Sequence, residues 1–290
     1  MAFAYIEGIR TQYQVIGAGP PLLLLSPLGD DGSVPQRWRD RVWRGFRPAE
    51  RLTRHFQVIT YNRRESGNSG GRIEPLSYPA FARQANALLD HLGVHRAFLL
   101  SSCVGCSVAL ALAADFPERC RALLLHWPVG GFRWLSRGRT SFDSHSSFVR
   151  EHGLSSVVER ARQTRVFWTD PESGPWASVI ASDEAFARAY VCEDLGHYLQ
   201  VVAQSRDNLF SDTMPSGVKD NQLMAMQMPA FIMPGDDAWH ASSSAHVLRE
   251  LIPNAKISAL MPRKQDAAAI ESWIYDCAAA CDYLRPSATA

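Results

Sequence analysis

The sequence predicts an α/β chain: a mostly parallel sheet with helices on both faces, interrupted by a helical insert. Three observations carry this. Short apolar runs alternate with helical patterns up to Trp127 and again from Met228, and that alternation builds parallel sheets through helical crossovers. The run "PLLLLS" (Pro21 to Ser26) is apolar without a break, as strands buried on both faces are. Between Pro128 and Gln227 the alternation stops, and the chain reads as helical and rich in aromatics.

The elements follow in order. "YIEGI" and "TQYQVIG" read as a first pair of strands, and "GAGP" turns the chain into "PLLLLS". An Arg/Trp-rich segment precedes a helix near Pro48 to His55, and "FQVITY" (Phe56 to Tyr61) is the next strand. "SYPAFARQANALLDHLG" is an amphipathic helix stopped by Gly93. "AFLLS" is a strand, Gly105 to Phe116 a helix and "RALLLHW" (Arg121 to Trp127) a further strand. After the insert come "MPAFIMPG" (Met228 to Gly235), a helix from Ser242 to Leu251, "AKISALMP" (Ala255 to Pro262) and a last helix. The expected division is a core of residues 1–127 and 228–290 and a helical cap of residues 128–227. Crossovers between the parallel strands are expected to be right-handed.

The 290 residues, 46% of them hydrophobic, suffice for a large core. Thirty basic against 29 acidic side chains give a net charge of +1, which does not suggest a nucleic-acid or anionic-membrane partner. The N-terminus lacks a signal pattern, and no apolar run approaches a bilayer span of about 20 residues. The reading is a soluble, cytoplasmic protein whose partner is a small-molecule substrate, with a homodimer allowed. Six scattered cysteines fit a reducing compartment better than a disulfide framework. No cofactor and no metal is called for.

The junction "SSCVGC" (Ser101 to Cys106) places Cys103 where a strand stops and a helix starts. Ser101 and Gly105 stand two before and two after it, and a tight strand–turn–helix elbow needs small residues there. A helix N-terminus favours a thiolate. Cys103 and Cys106 also form a C-x-x-C pair. That pattern admits a redox reading, and with His126 a zinc reading, but the elbow accounts for Cys103 without either.

At these residues the chain resembles the α/β-hydrolase superfamily, over nearly its whole length and in order. "VITYNRRESGNSGG" looks like the strand-four segment, "SSCVGCSVALALAADFPERCRALLLHWPVGG" like the elbow, its helix and strand six, and "PAFIMPGDDAWHASSSAHVLRELIPNAKI" like strand seven and the acid loop. The resemblance implies an α/β-hydrolase fold with a helical cap after strand six. It implies Cys103 as nucleophile and the backbone N–H groups of Val104 and Leu28 as oxyanion donors. Asp237 is implied as the acid, with Asp236 as rival. The loop after strand eight, where the family places its histidine, holds none; Lys264 or Gln265 stands near that place. Four histidines are left as candidates for the imidazole: His240, three residues after Asp237, His126 at the end of strand six, and His145 and His197 in the insert.

Trp127 and Arg63 are the expected substrate-binding residues; pairing of Arg63 and Arg64 with Glu65 is the competing, structural reading. The insert's aromatics are expected to form its own core, with a few lining an apolar pocket above Cys103. The chemistry expected is hydrolysis or acyl transfer on a small, partly hydrophobic ester, thioester or lactone. The alternatives are a lyase, cyclase or isomerase on the same fold, and a ligand-binding protein without catalysis.

Overall fold

A computed structural model describes residues 1–27, 43, 45–211 and 218–281. Strands β1 (Ala2–Ile6) and β2 (Ile9–Ile16) form a hairpin, paired from Ala2 with Tyr13 to Ile6 with Ile9. Its two-residue turn, Glu7 and Gly8, has φ of 49° and 73°, the left-handed pair that matches the twist of a tight hairpin. β3 (Pro21–Leu25) follows, then the short helix α1 (Pro48–Arg51) and β4 (Gln57–Tyr61). Helix α2 (Tyr78–His91) starts at Ser77, whose hydroxyl accepts from the Ala80 N–H, and Gly93 at φ 65° turns the chain out at its end.

β5 (Ala97–Cys103) runs directly into α3 (Val104–Asp115), which leads to β6 (Cys120–Pro128). Between β6 and β7 lie α4 (Phe132–Gln163, broken at Gly153), α5 (Ala177–Ser182), α6 (Glu184–Val191), α7 (Leu195–Leu209) and α8 (Asp220–Met224). β7 (Ala230–Met233), α9 (Ser242–Leu251), β8 (Ala255–Ile257) and α10 (Ala267–Ala279) complete the described chain.

The eight strands form one sheet in the order β1-β2-β4-β3-β5-β6-β7-β8. The two hairpin strands are antiparallel; β4 through β8 and β3 are mutually parallel. Strand alternation sends side chains to two buried layers. Leu23, Leu25, Leu99 and Leu123 meet α2 and α3, while Leu22, Leu24, Phe98 and Leu124 meet Ile270 and Ile274 of α10. That double burial is why these strands read as unbroken apolar runs. Sequence and structure part at β8: "AKISALMP" is a strand only to Ile257, and Pro262 to Lys264 turn into a single 3-10 turn. An edge strand has one neighbour to hold it, so the chain leaves early. No helix among the described residues is long and apolar enough to cross a membrane.

The chain passes from β3 outward to β4, then returns to the other side of β3 as β5. The carboxyl ends of β3 and β5 therefore border a switch point, where open α/β sheets bind ligands. Cys103 sits there. Its backbone has φ 55° and ψ −127°, a region a residue with a Cβ occupies only under strain of about 1–3 kcal/mol. The bend lets α3 start beside β3. A Cβ on Gly105 would lie 2.1 Å from the Leu25 carbonyl oxygen. On the other side Ser101 is small, and its hydroxyl donates to the Leu124 carbonyl at 3.2 Å. Gly105→Ala therefore forces α3 off the sheet. A stability loss of at least about 2 kcal/mol is expected in urea denaturation, at the upper part of the range for overpacking.

Candidate active site

Cys103 is buried at the elbow, and Val104 opens α3, so the Val104 amide is one of the helix's first, unpaired-in-helix donors. The loop after β7 brings the acid and the imidazole. Asp237 Oδ1 accepts three hydrogen bonds: from the Trp239 N–H at 2.8 Å, the His240 N–H at 3.0 Å and His240 Nδ1–H at 2.8 Å. Burial opposes the charge on Asp237, but these donors and the neighbouring imidazole hold its pKa well below the usual carboxylate range. Because Nδ1 donates to Asp237, Nε2 is the ring's free acceptor when neutral.

That Nε2 is buried and makes no hydrogen bond of standard geometry. Cys103 acts on it nonetheless. Burial alone would push His240 down, but attraction to the Cys103 sulfur and the bond to Asp237 overcome it and raise its pKa to about 9. Acid–base pairs are commonly open at rest and close when substrate arrives.

The loop folds this way for identifiable reasons. A Cβ on Gly235 would lie 2.6 Å from the His240 Cβ, so only glycine lets the chain double back there. A bridge between Gly130 and His240, with Gly130 N–H donating to the Trp239 carbonyl at 3.2 Å, ties the loop to the end of β6. Trp127, at φ 51°, lies against the His240 ring with centroids 5.3 Å apart. Its indole N–H donates to Gln265 Oε1 at 2.5 Å. Gln265 Nε2 in turn donates to the carbonyls of Pro234 at 3.0 Å and Leu260 at 2.8 Å. Gln265 is thus a buried, fully bonded staple between three strand ends, in the place where the resemblance calls for histidine. Lys264 beside it is exposed.

The other candidates go elsewhere. His126 is not brought to Cys103. It pairs with Ser102 on the opposite face of the sheet, Nδ1 to Oγ at 3.0 Å, and stacks on Trp43. It alternates with Leu125 and so shares a face with Leu124. His145 is buried in the insert, bonded through Nε2 to the Tyr198 hydroxyl at 2.7 Å, and burial lowers its pKa to about 4. His197 and Asp236 are exposed. Cys106 faces away from redox chemistry: its thiol donates to the His126 carbonyl at 3.4 Å, and burial pushes its pKa far up. Trp127, expected at the substrate, stands behind His240 and not on the cavity wall. Leu28 lies outside the described residues.

Arg63 and Arg64 separate. Arg64 bonds Glu65 at 3.0 Å and also Glu74. Burial raises Glu65 to about 7 in spite of Arg64. Arg63 instead lies over the Phe81 ring, 4.2 Å from its centroid. It and Val104 line a cavity between the sheet edge and the β6–β7 helices, with Tyr78, Trp134, Phe142 and Phe210 on its walls. Tyr78 is a neighbour of both Arg63 and Cys103, and burial raises its hydroxyl to about 12. The sequence did not single out Tyr78. It opens an amphipathic helix, and nothing local marks it as different from a core aromatic.

A sequence model of the alpha/beta hydrolase fold matches residues 20–206. The chain belongs to that family. Among curated relatives, a putative carbamate hydrolase from Azorhizobium caulinodans is 31% identical over 125 residues, 43% of this chain and 43% of that one. The chain thus spans less than half the length of the curated relatives it matches. Among solved structures, the enol-lactonase of Burkholderia xenovorans LB400 superimposes with a TM-score of 0.58 at 18% identity, covering 97% of this chain and 99% of that one. An esterase from Rhodococcus sp. ECU1013 gives 0.59 at 18%, covering 98% of each. These likenesses establish the fold.

The Asp237–His240 pair predicts a pH-dependent stability. His240 is raised from 6.5 to about 9, so its contribution is complete below 6.5 and disappears as pH rises through 9. Asp237 is depressed, so its contribution is complete above its ordinary 3.8 and fades as pH falls below that value. The melting-temperature difference between the wild type and His240→Gln should therefore be largest between about pH 5 and 6.5 and shrink toward pH 10. A pH-independent difference would refute the pairing.

Proposed function

We propose that this protein is a thiol-dependent hydrolase or acyl transferase acting on a small, partly hydrophobic ester, thioester or lactone. The observation that carries the reading is the placement of a buried imidazole, oriented by Asp237, against a sulfur held at a strained elbow. Residues 128–227 act as the cap that closes an apolar cavity over Cys103. The names of the relatives, which include a carbamate hydrolase, an enol-lactonase and an esterase, support acyl cleavage as the class of reaction.

In the first half-reaction the Cys103 thiol gives its proton to His240 Nε2, and the thiolate attacks the carbonyl carbon. The C–S bond forms, and the carbonyl π electrons move to oxygen. The Val104 N–H donates to that oxyanion, with the loop after β3 as the source of a second donor. Collapse breaks the bond to the leaving group, which takes the proton from the His240 imidazolium. In the second half a water gives its proton to Nε2 and attacks the thioester, and Cys103 leaves as thiolate. Asp237 stays ionised throughout, keeping Nδ1 protonated and the ring aimed. The raised pKa of His240 favours the charge-separated pair of thiolate and imidazolium that begins this sequence.

Incubation with p-nitrophenyl acetate should add one acetyl group to Cys103, seen by peptide mass spectrometry, and the adduct should decay with release of acetate. Cys103→Ala should lose at least about 10³-fold in rate and all labelling. Asp237→Asn, which leaves the shape and disturbs the tautomer, should lose about 10²-fold or more. Turnover that survives Cys103→Ala would end the proposal.

A further inference from the structure

We infer that the Tyr78 hydroxyl is a further donor to the oxyanion, meeting the substrate's carbonyl oxygen from the flank of Cys103 opposite His240. This deepens the reading of Cys103 as the nucleophile and rests on it. Tyr78 is 1% exposed, and a tyrosine hydroxyl so buried normally finds a firm partner. Among the described residues its O–H reaches the Leu209 carbonyl at 3.4 Å, well beyond the roughly 2.7–2.8 Å of an ordinary O–H···O bond. Ser107 stands beside it on α3, one helical turn past Cys103. Ser107 Oγ is buried and makes no hydrogen bond of standard geometry, and the group it acts on is the Tyr78 oxygen. Two buried hydroxyls therefore share a loose contact, and the Tyr78 proton is weakly held.

That hydroxyl stands where the reaction would need it. Tyr78 and Val104 line the same cavity and pack in the same layer as Cys103, which is a neighbour of Tyr78. Strand order fixes the side. β5 ends at Cys103 and has β6 and β7 on one flank, β3 and β4 on the other. His240 arrives after β7. Tyr78 arrives after β4, edge-on to Phe81 with ring centroids 6.5 Å apart. A carbonyl attacked by the sulfur presents its leaving group to the imidazole that must protonate it. Its oxygen then turns to the other flank, the side of the Tyr78 O–H. Burial raises that hydroxyl to about 12, so it stays protonated at neutral pH and donates. Arg63 shares its charge with Glu65 and is given no ligand here. As the C–S bond forms, the π electrons move to oxygen. Tyr78 keeps its proton and exchanges the Leu209 carbonyl for the stronger bond to the anionic oxygen, while the Ser107 hydroxyl donates to the phenol oxygen behind it. When the intermediate collapses the electrons return to the carbonyl, and the hydroxyl turns back to Leu209.

The test separates addition to a carbonyl from attack on a saturated carbon. The sulfur of Cys103 should add to 1,1,1-trifluoro-4-phenylbutan-2-one and leave an ionised oxygen, whereas iodoacetamide alkylates the same sulfur without forming one. Tyr78→Phe keeps the ring and removes the hydroxyl. It should weaken the ketone at least about tenfold and lower kcat/KM for p-nitrophenyl acetate by at least as much, chiefly through kcat. The alkylation rate should stay within about twofold of the wild type, because no oxyanion forms in that reaction. Ser107→Ala should weaken the ketone about two- to fivefold and do nothing further in the Tyr78→Phe background, as for a residue that acts through another. If Tyr78→Phe folds poorly, Ser107→Ala alone decides, and an unchanged ketone affinity there counts against the donor. Ketone binding unaffected by Tyr78→Phe but abolished by Cys103→Ala overturns the inference and leaves the nucleophile standing. Ketone binding that survives Cys103→Ala removes nucleophile and donor together. Binding that depends on Tyr78, with no ester turnover, supports the donor and counts against the hydrolytic reading instead.

Discussion

One close approach sets the geometry of everything around it: α3 passes so near the end of β3 that residue 105 has no room for a side chain against the Leu25 carbonyl. That contact fixes where the helix begins. It forces the residue before the helix into a left-handed backbone and turns the Cys103 side chain out between β3 and β5. The strain of about 1–3 kcal/mol at Cys103 is sustained by a sheet buried on both faces, whose apolar strands cannot shift to relieve it. The same bend leaves the Val104 amide, the first of α3, beside Cys103, so the positions of the sulfur and of that amide follow from a single packing event.

The second half of the site is assembled from strand ends. Trp127, at the end of β6 with positive φ, sits tilted behind His240 and is pinned by Gln265, which also holds the backbone after β7 and after β8. Trp127, His240 and Gln265 are all buried, and the side-chain polar atoms of Trp127 and Gln265 are bonded. A buried imidazole is costly to ionise unless opposite charge meets it. Here Asp237 on one side and the neighbouring Cys103 on the other offset the burial and raise the His240 pKa to about 9. The insert adds an aromatic layer, in which Phe210 fills the space that Gly138 leaves open.

Most of the framework was legible because burial writes itself into composition. Strands covered on both faces need unbroken apolar residues, and Leu22 to Leu25 and Leu123 to Leu125 show it. The elbow was legible because only small residues fit on either side of Cys103. The imidazole was not. Four histidines stood open, since what separates them is the direction of a side chain after folding. Period-two alternation already puts His126 on the face of Leu124, away from Leu125, and that signal was available. The bond between His240 and Asp237 depends on a loop doubling back at Gly235, and nothing local in "PGDDAWH" specifies that reversal. Arg63 and Tyr78 were ambiguous for a related reason. Their meaning comes from neighbours distant in sequence, whereas Arg64 and Glu65 are adjacent and find each other.

Asp237 and His240 share one loop, three residues apart, and this has a consequence for how the fold can vary. Where an acid and an imidazole sit on separate loops, any hinge between those loops misaligns them. Here they travel as a single cassette, so breathing of the sheet's outer edge changes the distance from ring to sulfur without disturbing the ring's tautomer. The segment after β8 contributes its bracing through Gln265 instead. Insertions between Ile257 and Met261 that preserve that brace ought to be tolerated there, and the outer edge becomes ground on which the fold can lengthen, shorten or recruit new contacts.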